Sequence, residues 1–89
     1  MKQMNQNPGQ NQSVQSFPLA MAGEGETVRI VFIRGGRKIQ ERLLSMGINI
    51  DDEIEVVQRQ EKGAVLISKE GNRYALGGGM AQKIQVIKV

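Results

Sequence analysis

The sequence predicts a mainly β fold, a small antiparallel barrel of about five strands with one inserted α-helix at about residues 36–46. Short segments rich in Val and Ile recur at intervals of roughly ten residues, separated by turns that contain Gly, Asp or Asn. One segment alone has the apolar periodicity of a helix. Closing the sheet removes the exposed edges of a small β protein, so the spacing fits an SH3-like or similarly closed fold.

The first sixteen residues differ in composition from the rest of the chain. Residues 1–16 contain five Gln and three Asn, with almost no charge and no apolar cluster. A segment of this kind cannot bury enough apolar surface to offset the entropy of ordering. We predict a disordered polar tail there and a single folded domain at residues 17–89.

The first clear strand is predicted at residues 27–33. Strict alternation places Val28, Ile30 and Phe32 on one face, and the other face is also largely apolar. A strand that is apolar on both faces is expected to lie in the middle of the sheet or beneath the helix.

The helix is predicted from the spacing of Ile39, Leu43 and Met46. These positions fall within about 60° of one another on a helix, so they form one stripe that must face the core. Gly47 follows the last apolar position and can close the helix in the left-handed conformation.

The second half of the chain is predicted to be a meander followed by a closing strand. In its first strand, Ile54 and Val56 are expected to point inward. The glycines between the meander and the last strand permit a close backbone approach, and that corner has room for one helical turn. The predicted segments are strands at 53–58, 64–68, 73–76 and 83–89, with the glycine corner at 77–82.

Composition excludes several classes of protein. The chain has 89 residues, no Cys, three aromatic residues and a formal charge of +3, of which Lys2 in the tail supplies one unit. A nucleic-acid-binding domain would normally carry a stronger basic surface and more stacking aromatics, so no nucleic acid is expected. No stretch approaches the roughly 20 apolar residues of a membrane span, and no signal peptide is evident. We expect a cytoplasmic protein without direct membrane insertion.

The absence of His and Cys makes enzymatic catalysis improbable, and we predict neither a catalytic residue nor a bound cofactor. The run Asp51, Asp52 and Glu53 offers oxygen ligands for a hard cation, with Glu24 or Glu26 as additional candidates. It lacks the pattern of a calcium loop, and its side chains should point in different directions. A solvated turn is the expected interpretation, with no metal site.

The charge on the predicted helix is unusual. Arg34, Arg37 and Lys38 lie at the amino end, where the helix dipole disfavours cations. Lys38 also forms a like-charge pair with Arg42 one turn later. One interpretation is a solvated rim. The other is a basic docking surface for an acidic partner, with Arg37, Lys38 and Arg42 for electrostatic attraction and Leu44 as an apolar contact on the far flank from Lys38 and Arg42.

Four motifs in order resemble the FeoA family, the bacterial ferrous iron transport protein A. They are PLAMA at residues 18–22, the segment 28–36 from VRI to RGG, RLLSMGI at 42–48 and YALGGGMA at 74–81. The resemblance implies an SH3-like barrel with an inserted helix. Where the family usually has a turn glycine, this chain has Asp51, a residue type that tolerates left-handed geometry.

The resemblance also implies a function in iron uptake. A FeoA-like protein is expected to be a cytoplasmic, non-enzymatic accessory or regulatory protein that docks on the cytosolic part, including the GTP-binding domain, of the membrane Fe²⁺ transporter FeoB. The alternative is a partner module of an iron-dependent transcriptional regulator, because similar SH3-like domains occur at the carboxyl end of such repressors. Direct Fe²⁺ carriage is disfavoured, because the chain offers few ligands for iron.

Overall fold

The computed structural model describes residues 15–89. The prediction of a disordered tail at residues 1–16 lies almost wholly outside this range and stays a prediction. In chain order the elements are β1 (Phe17–Pro18), a 3-10 turn (Leu19–Met21), β2 (Thr27–Ile33), α1 (Arg37–Ser45), β3 (Glu53–Arg59), a second 3-10 turn (Glu61–Gly63), β4 (Val65–Lys69), β5 (Asn72–Leu76), α2 (Gly78–Ala81) and β6 (Ile84–Lys88).

All six strands belong to one antiparallel sheet in the order β1-β6-β2-β3-β4-β5. This confirms the mainly β, SH3-like prediction, with β2 in an interior position and β3, β4 and β5 as a meander. The strand missing from the prediction is β1, which pairs Phe17 with Val86 and Pro18 with Gln85. Two residues are too few to stand out as a strand in the sequence.

The sheet is not closed, in contrast to the barrel expected from the sequence. Within residues 15–89, β1 and β5 each have one paired neighbour and form the two edges. The physical reason lies in β1, because Pro18 has no backbone N–H to donate and the chain turns into a 3-10 helix directly after it. β1 therefore ends after two residues, and one of its sides stays unpaired.

One face assignment in β2 was wrong. Val28 and Ile30 are fully buried as predicted, but the exposed fraction of Phe32 is 54% and Ile33 is buried instead. The pairing of β2 with β6 shifts register between Ile30 and Phe32. A bulge of this kind moves later side chains to the opposite face, and simple alternation cannot anticipate it.

The core is aliphatic, as the scarcity of aromatic residues required. Ile54 and Val56 point inward as predicted, and Leu43 of α1 is fully buried. Ile39 and Met46, the other members of the helical stripe, are partly buried and pack against this core. The largest fully buried side chains are Leu19, Val28, Ile30, Leu43, Ile48, Ile54, Val56, Val65, Ile67, Leu76, Ile84 and Val86.

The end of α1 confirms the predicted role of Gly47. Its φ is +77°, and the amides of Gly47 and Ile48 donate to the carbonyls of Leu44 and Leu43, each at 2.9 Å. This is the Schellman arrangement, in which a left-handed residue lets two free helix carbonyls accept hydrogen bonds. Leu43 and Ile48 are both buried, so the same turn also completes an apolar contact.

The glycine corner contains the predicted single helical turn, α2. A Cβ placed on Gly78 would lie 1.9 Å from the carbonyl oxygen of Lys62. Because that oxygen belongs to the backbone of the turn between β3 and β4, it cannot rotate away. Gly78 is therefore required for the close approach that brings α2 against this turn.

Replacement of Gly78 by Ala tests this contact. We expect the free energy of unfolding to fall by about 2–3 kcal/mol, since overpacking against backbone forces the chain to shift. Gly79→Ala is the matched control, because a Cβ there meets no atom within 4 Å. Its effect should be neutral or stabilising by up to about 1 kcal/mol in urea denaturation. Equal stability of the two variants would contradict the proposed contact.

Candidate functional site

The four residues singled out on the helix are all exposed, but they do not form one patch. Arg37, Lys38, Arg42 and Leu44 project from α1 on the sides that its buried stripe leaves free. At 100° per residue, Lys38 and Arg42 lie on one flank of the stripe and Leu44 on the other. Arg37 lies on the outer side of the helix, about 20° from Leu44 and about 100° from Lys38.

Leu44 borders an apolar groove on one flank of α1. The exposed fractions of Leu44 and Ile50 are 60% and 47%, whereas Ile33 and Ile48 are buried at the base of the groove. Isolated surface leucines are common, but two exposed aliphatic side chains beside buried ones make a continuous apolar surface. The groove is lined by Ile33, Gln40, Leu44, Ile48, Asn49 and Ile50.

The loop beneath this groove is fixed by an ion pair. Lys69 Nζ lies 2.9 Å from Asp52 Oδ2, and the Lys69 ammonium also donates to the Gly47 carbonyl. The Asn49 amide donates to the same Asp52 carboxylate oxygen at 2.7 Å. Since both side chains are largely covered, at 15% and 23% exposed, this contact holds the loop after α1 against β4.

The same contacts shift two pKa values. Partial burial by itself raises the pKa of Asp52, but the hydrogen bonds from Lys69 and from the Asn49 amide outweigh it and hold the pKa below its ordinary value. The hydrogen bond to Asp52 raises the pKa of Lys69. Both shifts favour the charged forms of the pair.

The expected left-handed geometry of Asp51 is confirmed by its φ of +78°. Its amide donates to the Ile30 carbonyl at 2.7 Å, and the Ile30 amide donates to the Asp52 carbonyl at 2.9 Å. The loop therefore pairs with β2 before β3 begins, which fixes the position at which the inserted segment returns to the sheet.

A second groove, with basic side chains, lies on the other flank of α1. Arg42 and Lys83 line it together with Ile39 and Met80 and with the α2 region at Gly77, Gly79 and Gln82. Lys38 precedes Arg42 by one helical turn on the same flank. This groove joins the helix to the start of β6, two segments that are about forty residues apart in the sequence.

The position of Lys83 depends on Gly35. A Cβ on Gly35 would lie 2.9 Å from Lys83 Cδ and 2.7 Å from Ile39 Cδ1, so the stem of Lys83 lies against this glycine, next to the helix. Arg34 is held close by, because its amide donates to the Lys83 carbonyl at 2.7 Å and its Nη2 donates to the Gln82 carbonyl at 3.3 Å.

The positive charge of the chain is concentrated here. The corner formed by α1, Arg34 and Lys83 carries five cations and one carboxylate, Glu41, a net of +4, whereas the remaining residues carry seven cations and eight carboxylates, a net of −1. Among residues 15–89, the ion pairs are Arg29 with Glu53, Lys69 with Asp52 and Lys88 with Glu26. None of them involves a cation of this corner.

Lys83 was missed as a site residue, and Arg34 was recognised only as part of the charge at the start of the helix. No local signal marks Lys83, because its place in the groove comes from the pairing of Ile33 with Ile84 across β2 and β6. A sequence-based prediction of that register would have been needed to find it.

Four of the five carboxylates considered as metal ligands have other partners, among them Glu24, which accepts from the Arg59 amide at 2.8 Å. Asp52 pairs with Lys69, Glu53 lies 3.1 Å from Arg29, and Glu26 accepts from the Gly23 amide at 2.8 Å. In the described residues, no three His, Cys, Asp or Glu side chains are grouped so that they could hold a metal ion. The longer helix there, α1, has nine residues and falls far short of a membrane span.

The Asp52–Lys69 pair predicts a pH dependence. Because the folded-state pKa of Asp52 lies below its ordinary value of 3.8, the stability it contributes is complete above that value and is lost as the pH falls through the lower, folded-state pKa. At alkaline pH the limit is set by Lys69. The stability that this residue contributes is lost as the pH rises through its folded-state pKa, which lies above the ordinary value of 10.5.

Asp52→Asn should therefore have a lower urea midpoint than the parent chain at neutral pH. The difference between the two midpoints should become smaller in strong acid. Glu55→Gln is the control, since Glu55 is exposed and forms no ion pair within residues 15–89. A gap for Asp52→Asn that stays constant into strong acid would rule out the carboxylate as its source.

Comparison with known proteins identifies the family. The model of the FeoA domain matches residues 17–88. A Methanocaldococcus jannaschii protein named Fe(2+) transport protein A is 46% identical over 70 residues, which cover 79% of this chain and 84% of that protein.

The solved structures that resemble this chain include a FeoA protein and a transcriptional repressor. The crystal structure of an iron uptake regulatory protein (FeoA) has a TM-score of 0.74 and 33% identity, with 84% of this chain and 99% of that chain covered. A manganese-dependent transcriptional repressor has a TM-score of 0.78 at 23% identity over 86% of this chain and 44% of its own, which shows a shared fold alone. The family model and the sequence identities show that this chain belongs to the FeoA family of ferrous iron transport proteins.

Proposed function

We propose that this protein is a cytoplasmic, non-enzymatic accessory or regulatory protein of ferrous iron uptake that docks on the cytosolic part of a FeoB-type membrane transporter. The observation that carries this proposal is the net charge of +4 at the α1 corner in a chain whose remainder is close to neutral. Family membership and the name of the Methanocaldococcus jannaschii relative connect the chain with Fe²⁺ transport.

The exposed sides of α1 provide two kinds of contact. Arg37, Lys38 and Arg42 supply a positive field that attracts an acidic protein surface and raises the rate of encounter. Leu44, with Ile50 beside it, supplies an apolar contact that such a surface can cover. The Asp52–Lys69 pair holds the loop that carries Ile50, so little ordering is required on docking.

A second candidate is a partner module of a metal-dependent transcriptional regulator. It is favoured by the fold shared with the manganese-dependent repressor, of which this chain matches less than half. In this case the chain would bind the regulator instead of the transporter. Binding measurements against the two purified partners separate these candidates.

Charge reversal tests the docking surface. We expect the double variant Lys38→Glu, Arg42→Glu to remain folded, because both side chains are exposed, and to bind the transporter's purified cytosolic GTP-binding domain at least about tenfold more weakly. Titration calorimetry in the nucleotide-free, GDP-bound and GTP-analogue states provides the measurement. Arg59→Glu, Arg73→Glu is the matched control, since it changes the net charge equally on exposed strand residues. If both double variants bind equally weakly, the loss of affinity comes from net charge, and the proposed docking surface at Lys38 and Arg42 is wrong.

Leu44→Ala tests the apolar contact separately. We expect a change of no more than about 0.5 kcal/mol in the free energy of unfolding, since Leu44 is exposed, together with about fivefold weaker docking. Its neighbour provides the contrast, because Leu43→Ala removes a fully buried side chain and should cost about 2–5 kcal/mol of stability. Met21→Ala, which truncates a similarly exposed apolar side chain outside α1, should leave docking unchanged. Unaltered docking by Leu44→Ala would remove this residue from the interface.

A further inference from the structure

We propose that the basic groove between α1 and the start of β6 binds a phosphate-bearing anionic ligand. The site consists of Arg42 and Lys83, which line the groove, with Arg34 held beside Lys83 and Lys38 one helical turn before Arg42. It lies on the opposite flank of α1 from the apolar groove at Leu44 and shares Lys38 and Arg42 with the proposed docking surface. Because it requires no transporter, anion binding can be tested separately from docking.

The first argument is that the cations of the groove are brought together by the fold. Lys83 lies on the groove wall with its stem against Gly35, and Arg34 reaches the Gln82 carbonyl on the same wall. Arg42 faces them from the helix. Bringing like charges together is unfavourable without a counter-charge, and an anion in the groove removes this cost.

The second argument concerns the conformation of Gly35. Its φ is +99°, and any side chain at this position would collide with both Ile39 and Lys83. The backbone therefore leaves room for the lysine stem, whose Cδ lies beside Gly35 just before the helix begins. A cation whose stem is held in this way loses less conformational entropy when it binds a ligand than a free surface lysine does.

The chemistry of the groove favours phosphate. Arg42 lines the groove, and its planar guanidinium can make paired hydrogen bonds to phosphate oxygens, while Lys83 adds a point charge. No aromatic side chain lines the groove, so its polar contacts come from the cationic groups of Arg42 and Lys83 together with Gln82. The shared ligand chemistry is thus the phosphate group itself, which either a free phosphate compound or a phospholipid headgroup can supply.

Titration of the full-length chain with inorganic pyrophosphate, followed by amide NMR, tests the site. We expect saturable shifts centred on Gly35, Gly79 and Lys83, which weaken as the salt concentration rises. A second arm measures co-sedimentation with vesicles of phosphatidylglycerol against vesicles of phosphatidylcholine. Selective sedimentation with phosphatidylglycerol identifies a headgroup as the source, and pyrophosphate binding without sedimentation identifies a free phosphate compound.

Arg42→Gln, Lys83→Gln is the test variant, and we expect each substitution to weaken binding by about three- to fivefold. Arg37→Gln, Arg73→Gln is the control of equal charge, because neither residue lines the groove. Absence of binding in both arms, or an equal loss in the two double variants, would overturn the proposal. Failure of docking with intact pyrophosphate binding would refute only the proposed transporter contact.

Discussion

The turn that ends α1 determines how the inserted segment sits on the sheet. Gly47 adopts a left-handed conformation, which would cost most other residues about 1–2 kcal/mol, and this lets the Ile48 amide reach the Leu43 carbonyl. Leu43 and Ile48 then enter the core together. Lys69 joins the Gly47 carbonyl to Asp52, so the turn is attached to β4 as well. The orientation of α1, and therefore of both its grooves, follows from this one turn.

Packing also explains how a helix with unfavourable charges is stable. Cations at the amino end cost a few tenths to about 1 kcal/mol each, and the like-charge pair of Lys38 and Arg42 costs a similar amount. Leu43 is fully buried, and truncating a side chain of that kind costs about 2–5 kcal/mol. The buried stripe outweighs the charge penalty, so the exposed residues of α1 are free to be selected for binding instead of helix stability.

Local patterns accounted for most of the fold. The sequence correctly predicted the bounds of β2, the apolar stripe of α1, the helix-ending Gly47 and the meander. Each of these features depends on residues that are close together in the sequence. The face of Phe32 was not, because the bulge is defined by pairing with β6. The open edge was also missed, since it depends on the early end of β1 at Pro18. Such features require knowledge of register between distant strands.

In the candidate site, too, local sequence features were predictable and contacts between distant segments were not. Arg37, Lys38, Arg42 and Leu44 are recognisable from helical spacing and charge alone. The contribution of Lys83 is invisible until β6 pairs with β2 and its stem comes to rest on Gly35. Sequence reasoning therefore finds the basic side of the helix but not the groove, whose second wall comes from the opposite end of the domain.

The arrangement of charge and apolar surface around α1 has a consequence for the two proposed activities. An anion in the basic groove would neutralise part of the +4 corner, and so it would weaken the electrostatic attraction of an acidic partner while leaving the Leu44 groove on the other flank uncovered. By linkage, the partner would weaken anion binding by the same factor. Docking that depends on Lys38 and Arg42 would then respond to the concentration of phosphate-bearing ligand, whereas the contribution of Leu44 would not. The buried stripe between the two flanks makes this separation possible, because it keeps the apolar contact and the charged groove on opposite sides of one rigid helix.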